Sequence, residues 1–222
     1  MKDGMSIEEE NYSRLRQTMV EVQLRQRGIR HPAVLETFAE VPRHLFVPPR
    51  HRHEAYEDYP IPIGHGQTIS QPYVVALMIQ ELDPRPDHRV LEVGAGSGYQ
   101  TAILARLVRH VYAVERINEL TEQAASVLAA LNIANVTVST MDGSMGWPEE
   151  APFDRIICGA AAPEAPPCWT DQLADGGRIV LPVGGEEVQS LRMLDKQGGK
   201  LRSRDLCDVR FVRLIGKWAW PG

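Results

Sequence analysis

A glycine-rich loop is the first feature of the sequence that could do chemistry. Its glycines are Gly94, Gly96 and Gly98, and the acidic residue Glu92 precedes them. Glycines allow a tight turn and let a ligand approach the backbone, whose N–H groups then point outward. The dinucleotide pattern G-x-G-x-x-G would need its third glycine at Tyr99. The loop therefore predicts a cofactor site, and a tight structural turn is the alternative for this motif alone.

Two acidic residues follow where an α/β fold would present them to the same ligand. Glu115 ends an apolar run 21 positions after Gly94, and an acid at this place in nucleotide-binding folds accepts hydrogen bonds from both ribose hydroxyls. Asp142-Gly143 follows the next apolar run, where the Asp could accept from an adenine amino group. Because an NAD site would use the same carboxylate, Glu115 predicts an adenosine-like ligand without choosing the cofactor. The alternatives are a surface pair of Glu115 with Arg116 and a plain turn at Asp142.

A segment rich in proline and glycine, residues 61–73, carries further polar groups. Two prolines and two glycines predict a fixed loop, and Thr68 and Ser70 offer hydroxyls. We expect a helix to follow, with Ser70 as its N-cap and Pro72 near its first turn. Spacing alone favours this capping role for Ser70 over a chemical one.

These residues must be positioned by the regular elements, which alternate from residue 89 onward. The expected strands are residues 90–93, 111–114, 136–138, 155–157 and 178–181, and the expected helices are residues 99–108, 118–131 and 169–173. This alternation is typical of a doubly wound parallel sheet. Residues 190–194 and 209–214 have no long helix between them, so we expect an antiparallel pair at the sheet edge. The predicted fold class is therefore α/β, a doubly wound Rossmann-like sheet with antiparallel edge strands.

The N-terminal part is expected to be helical. Ser6 and Glu9 have the spacing of a capping box, and Gly28 is a plausible stop. A shorter helix should follow Pro32. The first helix should place Leu15, Met19, Val22 and Gln26 on one face.

A boundary between two parts of the chain is expected at the proline-containing residues 83–86. Residues 42–62 are rich in Pro, His and Arg, and we interpret them as a lid or substrate-facing extension. We therefore divide the chain into an N-terminal helical extension with an active-site loop, residues 1–83, and an α/β core, residues 84–222. The two parts should form one compact unit.

Composition excludes several classes of protein. The 222 residues are 43% hydrophobic and 24% charged, which is ordinary for a globular chain able to bury a core without a metal or disulfide. No run approaches the ~20 apolar residues of a membrane span, and residues 1–5 show no apolar signal core. A net charge of −5 argues against non-specific nucleic-acid binding.

The three cysteines form no CxxC pair, which favours a reducing, cytoplasmic location and argues against zinc. His51 and His53 have no third ligand at metal-binding spacing. We therefore expect no metal site.

Several blocks of this sequence resemble one enzyme family. Residues 64–72 (GHGQTISQP) resemble the signature of protein-L-isoaspartate O-methyltransferases, and residues 41–48 (VPRHLFVP) resemble the segment upstream of it. The glycine loop resembles the E-x-G-x-G-x-G loop of class I S-adenosylmethionine-dependent methyltransferases. Further similar blocks, in the same order, are residues 90–105, 151–154, 159–163 and 176–184. The resemblance covers nearly the whole chain.

The resemblance implies a protein repair methyltransferase. Such an enzyme moves a methyl group from S-adenosyl-L-methionine to the α-carboxylate of an L-isoaspartyl residue in a damaged protein or peptide, and leaves S-adenosyl-L-homocysteine. The methyl ester then converts through a succinimide. The partners implied are isoaspartyl proteins and peptides, with no nucleic acid and no membrane, and we expect a monomer.

The resemblance also implies the site residues. The family's active-site serine falls on Ser70, and we assign it hydrogen bonding and positioning, because a carboxylate with a pKa near ~4 needs no general base. Substrate recognition is expected from the main chain near Ile63, Gly64 and Val183. The cofactor-binding residues implied are Gln67, Thr68, Ile69, Ser70, Glu92, Gly94, Gly96, Gly98, Glu115, Arg116, Asp142 and Gly143.

The sequence leaves two other functions open. A nicotinamide-dependent oxidoreductase on the same fold is disfavoured by Tyr99 in place of the third glycine. A methyltransferase-like domain that only binds a cofactor or partner is disfavoured by the intact Thr68-Ile69-Ser70 segment.

Overall fold

The computed structural model describes residues 6–222, so the expectation for residues 1–5 lies outside the described part of the chain. The strands found there are β1 Ile61–Gly64, β2 Gln67–Ile69, β3 Arg89–Val93, β4 His110–Glu115, β5 Val136–Thr140, β6 Phe153–Cys158, β7 Leu173–Gly184, β8 Gln189–Gln197 and β9 Lys200–Val209. The α-helices are α1 Ile7–Thr18, α2 Pro32–Glu40, α3 Pro72–Leu82, α4 Tyr99–Ala105, α5 Asn118–Ala130 and α6 Pro167–Gln172.

A seven-stranded sheet in the order β5-β4-β3-β6-β7-β8-β9 organises the fold. Its first five strands pair in parallel, and β8 and β9 are antiparallel additions at one edge. The parallel strands β3 and β6 are buried almost throughout, which explains why their apolar residues are not confined to alternate positions. The prediction of a doubly wound α/β sheet with antiparallel edge strands is confirmed.

The predicted last strand was wrong in position. Strand β9 ends at Val209, and residues 210–214 lie beyond it, where the β-type pairing is an isolated bridge between Ala161 and Arg213. The true edge strand β9 follows a turn at Gly198 and Gly199, whose φ angles are +57° and +73°. It is exposed and rich in charged residues, so it lacks the apolar alternation that would have marked it as a strand.

The first helix begins as expected but buries a different face. Ser6 caps α1, because its hydroxyl accepts a hydrogen bond from the Glu9 N–H at 3.2 Å. The chain then continues as a π-helix over Met19–Arg25. Its wider turn rotates the apolar face, so Leu24 is fully buried while Val22 is 49% exposed. The prediction for Val22 was therefore wrong, and Gln26 is exposed too.

The N-terminal extension packs on the α/β core and shares one hydrophobic cluster with it. Phe38 of α2 and Phe46 lie edge-on to the ring of Tyr99, with centroids 5.9 and 5.5 Å away. Residues 42–62, interpreted from the sequence as a lid or substrate-facing extension, contain two 3-10 helices, Arg43–Phe46 and Pro49–Glu54. The division of the chain at residue 83 stays a prediction. No helix among the described residues is long and apolar enough to cross a membrane.

Candidate active site

A large open cleft has a volume of ≈ 1350 Å³. Four of the polar residues predicted to bind the cofactor line it: Gln67, Thr68, Ser70 and Arg116. It is larger than the ~300–1,000 Å³ typical of a small-molecule pocket, so it has room for a cofactor and part of a second ligand. Its walls come from the β1–β2 region, the β7–β8 loop, the segment after β9 and the C-terminus. The lining residues include Gln67, Thr68, Ser70, Arg116, Gly159, Glu186, Val188, Phe211, Arg213 and Ile215.

One wall is a β-hairpin where the sequence predicted a fixed loop. Strands β1 and β2 pair antiparallel, with Ile61 opposite Ile69. His65 and its two glycine neighbours turn the chain, all with positive φ. Side chains along each strand of the hairpin alternate between its two faces. Ile61, Ile63 and Ile69 are therefore buried, and Thr68 is exposed. The hairpin reaches the glycine loop, since a Cβ added at Gly96 would lie 3.5 Å from Ile63 Cδ1.

Ser70 is not the N-cap of the helix that follows it, and this prediction was wrong. The N-cap of α3 is Gln71, no side chain caps this helix, and Pro72 opens it as expected. Ser70 lies one residue earlier, half-buried, and lines the cleft. Its carbonyl accepts a hydrogen bond from Arg43 Nη2 at 2.8 Å. The hydroxyl is therefore not engaged in the helix and can contact a ligand.

The glycine loop has a backbone that only glycine adopts easily. Gly94, Gly96 and Gly98 have φ angles of +81°, +53° and +82°, in the left-handed region that L-residues disfavour. At Gly98 a Cβ would also lie 3.0 Å from Ala124 Cβ. The glycine spacing thus reflects the turn from β3 into α4 and its close packing on α5.

Glu115 holds this loop in place. Its Oε2 accepts a hydrogen bond from the Gly96 N–H at 3.0 Å, while Oε1 accepts from the N–H groups of Arg116 and Ile117 at 2.9 and 3.0 Å. Its contact with Arg116 is therefore to the backbone. A carboxylate offers about four acceptor positions, so one position is left on Oε2 for a ligand.

Glu92 lies beneath the loop with its side chain completely buried. Gln100 Nε2 donates to its Oε1 at 3.2 Å, and its Oε2 has no hydrogen-bond partner among the described residues. Burial raises the pKa of Glu92 to about 8. The side chains of Thr101 and Gln100 oppose this shift, and the charge of Glu115 adds to it. The protonated carboxyl is therefore the favoured form of Glu92 at neutral pH.

Asp142 caps a short 3-10 helix and also holds the C-terminal segment. Its Oδ1 accepts from the N–H and the hydroxyl of Ser144 at 2.9 and 2.7 Å, and its Oδ2 accepts from the Lys217 N–H at 2.8 Å. The Ser144 hydroxyl accepts in turn from the Trp218 N–H at 3.0 Å. The neighbouring Gly143 is needed for packing, because a Cβ there would lie 2.5 Å from Val93 Cγ1.

The structure therefore divides the predicted residues into two groups. Gln67, Thr68, Ser70 and Arg116 line the cleft directly. The other eight predicted cofactor-binding residues do not line it. Ile69, Glu92, Gly98, Glu115 and Gly143 are buried, and Gly94, Gly96 and Asp142 are half-buried.

Sequence reasoning missed one wall of the cleft. Glu186 in the β7–β8 loop and Arg213 after β9 form an ion pair at 3.1 Å, and both line the cleft. Neither belongs to a local motif. The only signal nearby was the block at residues 176–184, which ends just before this loop.

His51 and His53 both lie close to Glu54, at 3.6 and 3.0 Å. Residues 6–222 contain no group of three or more His, Cys, Asp or Glu side chains arranged to hold a metal ion. The three cysteines are unpaired.

Comparison with known proteins gives concordant matches over most of the chain. Residues 14–219 match the family model described as protein-L-isoaspartate(D-aspartate) O-methyltransferase (PCMT). The chain is 53% identical over 205 residues to a protein-L-isoaspartate O-methyltransferase from Methanoregula boonei, covering 92% of this chain and 94% of the relative. It is 52% identical over 216 residues to one from Desulfosudis oleivorans, covering 97% of this chain and 98% of the relative.

A solved structure agrees with these sequence matches. A β-aspartate methyltransferase (PCMT) from Plasmodium falciparum in complex with S-adenosyl-L-homocysteine superposes with a TM-score of 0.78 at 29% identity. The match covers 90% of this chain and 98% of that one.

Proposed function

The chain belongs to the protein-L-isoaspartate(D-aspartate) O-methyltransferase family, and from this premise we propose that the cleft beside Ser70 is its site of methyl transfer. The enzyme uses S-adenosyl-L-methionine and transfers a methyl group to the α-carboxylate of L-isoaspartyl residues in proteins and peptides. The observation that carries the proposal is that Ser70 lines one cleft together with Arg116, which follows Glu115, and Gly159. Gly159 lies beside the glycine loop, since a Cβ added at Gly94 would lie 3.8 Å from its carbonyl carbon, and Ser70 is left out of helix capping.

The residues of the cleft fit the cofactor. Gly94 and Gly96 are half-buried and carry no Cβ atom, so a ligand can approach their backbone closely, whereas Gly98 is required for packing on Ala124. Glu115 Oε2 retains one acceptor position for a ribose hydroxyl. Glu92 Oε2 is buried without a hydrogen-bond partner among the described residues, so a polar group of the cofactor at the inner end of the site would satisfy it. Asp142, with three hydrogen bonds from the protein, keeps at most one further acceptor position for an adenine amino group.

The proposed chemistry asks the protein for orientation more than for proton transfer. When bound, S-adenosyl-L-methionine supplies an electrophilic methyl group on a sulfonium. A carboxylate oxygen of the substrate bonds to the methyl carbon as the carbon–sulfur bond breaks, and the electron pair stays on sulfur. Since the substrate carboxyl is ionised at neutral pH, no general base is required. Ser70 donates a hydrogen bond that holds this carboxylate in line, an effect of several kcal/mol at most.

Substrate binding is proposed to depend on the main chain of Ile63, Gly64 and Val183. Ile63 and Gly64 belong to the hairpin whose Gly66 and Gln67 line the cleft, and Val183 lies just before the β7–β8 loop, which also lines it. Gln67, Thr68, Ile69 and Arg116 are proposed to complete the cofactor site. The methyl ester is proposed to leave the enzyme and convert through a succinimide without further help from protein groups. With three free cysteines and a net charge of −5, we place the protein in a reducing cytoplasm, as a monomer that does not bind nucleic acid or membranes.

The experiment that tests this function supplies tritiated S-adenosyl-L-methionine with an isoaspartyl peptide or with the same peptide carrying normal aspartate. Base-labile label in the isoaspartyl peptide alone is the expected result. Label at blank level in both peptides would exclude the function. Calorimetry on the same sample, with S-adenosyl-L-homocysteine and then with NADH, distinguishes the methyltransferase from a nicotinamide-dependent enzyme. A methyltransferase should bind S-adenosyl-L-homocysteine, whereas a nicotinamide-dependent enzyme should bind only NADH.

A further inference from the structure

A buried arginine lies directly behind the segment that carries Ser70. The side chain of Arg43 is 0% exposed. Its Nε donates to the carbonyl of Ala55 at 2.7 Å, and its Nη2 donates to the carbonyl of Ser70 at 2.8 Å. The same guanidinium lies over the ring of Tyr99, 4.9 Å from its centroid. One side chain therefore connects the N-terminal extension, the Ser70 segment and the first residue of α4.

The burial of this arginine needs an explanation. Its Nη1 has no hydrogen-bond partner among the described residues, and no carboxylate there lies within ion-pair distance of it. Burial lowers the pKa of Arg43 to about 10, so it is still a cation at neutral pH. An apolar side chain of similar volume would fill the same space without this desolvation cost. The two hydrogen bonds to carbonyls are therefore the feature that an apolar residue could not replace.

We propose that Arg43 is a positioning residue for methyl transfer, which fixes the Ser70 hydroxyl by holding the Ser70 carbonyl. The inference rests on the proposed function of Ser70. No side chain caps α3, so nothing in that helix orients the hydroxyl, and the backbone of Ser70 must set its place. Because Tyr99 follows Gly98 directly, the contact of Arg43 with its ring also ties Ser70 to the glycine loop. A displacement of about 1 Å between reacting groups can cost about a hundred-fold in rate.

The test compares Arg43→Lys with a matched control, Arg155→Lys. Arg155 is also buried, at 7% exposure, and donates to the carbonyls of Leu82 and Asp83 at 2.7 and 3.2 Å, away from the cleft. Arg43→Lys should lower kcat about ten-fold, the order expected for one lost hydrogen bond from a charged donor. The KM for the isoaspartyl peptide and the Kd for S-adenosyl-L-homocysteine should stay within about two-fold. Arg155→Lys should lower the melting temperature and leave kcat per folded molecule unchanged.

A double variant shows whether Arg43 acts through Ser70. In a Ser70→Ala background, Arg43→Lys should reduce kcat no further, because the hydroxyl that it positions is already gone. Arg155→Lys should leave kcat per folded molecule unchanged both with Ser70 present and in the Ser70→Ala background. Arg43→Gln, which removes the charge but keeps an amide donor, is measured in parallel in case the lysine variant does not fold.

Three outcomes would count against the proposal. Wild-type kcat per folded molecule in the Arg43 variants overturns it, and so does an equal loss in the presence and absence of the Ser70 hydroxyl. A wild-type protein that transfers no label overturns the proposed function and this inference together, whereas an active wild type with unaffected Arg43 variants overturns the inference alone.

Discussion

Glu115 accepts a hydrogen bond from the backbone N–H of Gly96 at 3.0 Å, which ties the end of β4 to the loop that follows β3. The two residues lie 19 positions apart in the chain and meet because their strands are parallel neighbours. The carboxylate thus orients the loop and still offers an acceptor position to a ligand. Removing it would disturb both functions at once.

Glu115→Ala should therefore weaken binding of S-adenosyl-L-homocysteine by about 1–3 kcal/mol, through the lost ribose hydrogen bonding and the released loop. Calorimetry measures the change. Glu119→Ala, at an exposed position in the first turn of α5, is the control and should bind as the wild type does. An unchanged Kd in Glu115→Ala would contradict the proposed site.

Ser70→Ala should lower turnover about ten- to a hundred-fold and leave cofactor affinity and melting temperature nearly unchanged. The rate effect follows from losing one hydrogen bond to a charged group, about 1.5–3 kcal/mol. Stability should hold because Ser70 does not cap α3. Ser70→Thr, which keeps the hydroxyl and adds a methyl group, should be intermediate.

Ser6→Ala is the matched control for Ser70→Ala, because Ser6 does cap a helix. It should lower stability by about 1 kcal/mol with normal turnover. Wild-type turnover in Ser70→Ala would remove the positioning role, and a loss of several orders of magnitude would instead indicate a covalent role.

The buried carboxyl of Glu92 predicts a pH dependence of stability. Its pKa is raised from its usual 4.5 to about 8, so between these values the folded protein holds a proton that the unfolded chain has lost. The free energy of unfolding should therefore fall as pH rises through this window. The contribution of Glu92 is fully present below about pH 4.5 and is lost above about pH 8.

Glu92→Gln, which cannot ionise, should remove this slope and become more stable relative to wild type by a few kcal/mol at the alkaline end. Denaturant unfolding of wild type and Glu92→Gln between pH 5 and 8.5 measures the free energy of unfolding at each pH, and hence the slope. Glu119→Gln should leave the slope unchanged. Parallel pH profiles for wild type and Glu92→Gln would show that Glu92 is ionised throughout.

Gly216→Ala should detach the C-terminal segment from Asp142. An added Cβ would overlap Asp142 Oδ1 and lie 2.5 Å from Ser144 Oγ, so the hydrogen bonds from Lys217 and Trp218 to these side chains should break. Increased solvent exposure of the C-terminal tryptophans, read by fluorescence quenching, checks the result. Gly185→Ala, where a Cβ meets no atom within 4 Å, should leave the quenching unchanged.

The enzyme should accept isoaspartate in many sequence contexts, because the cleft carries charges of both signs. Acidic residues Glu186, Glu187 and Asp208 line it together with basic residues Arg116, Arg210 and Arg213. Replacing a flanking Lys by Glu in the peptide should therefore change kcat/KM by less than about ten-fold. A single flanking residue that governs activity by orders of magnitude would overturn this expectation.

The sequence by itself determined the features that depend on local chemistry. Apolar runs and helical stretches gave the parallel sheet, and the glycines at 94, 96 and 98 matched a turn whose positive φ angles only glycine adopts easily. The acid at Glu115 could be placed beside that loop, because adjacent parallel strands end at the same edge of a sheet. Pro72 at the first position of α3 followed from its fixed φ and missing N–H.

Tertiary structure alone decided which of these groups are free to act. Ser70 was expected to cap a helix, yet the cap shifted by one residue to Gln71 and released the hydroxyl. Arg43 gave no local sign that it would be buried against the Ser70 carbonyl, 27 positions away. Asp142 met the C-terminal segment through Lys217, 75 positions later. Periodicity and capping rules describe residues that are close in the chain. These contacts instead join separate elements, so they depend on how the elements pack. Packing therefore determines which buried polar groups of this site have a hydrogen-bond partner.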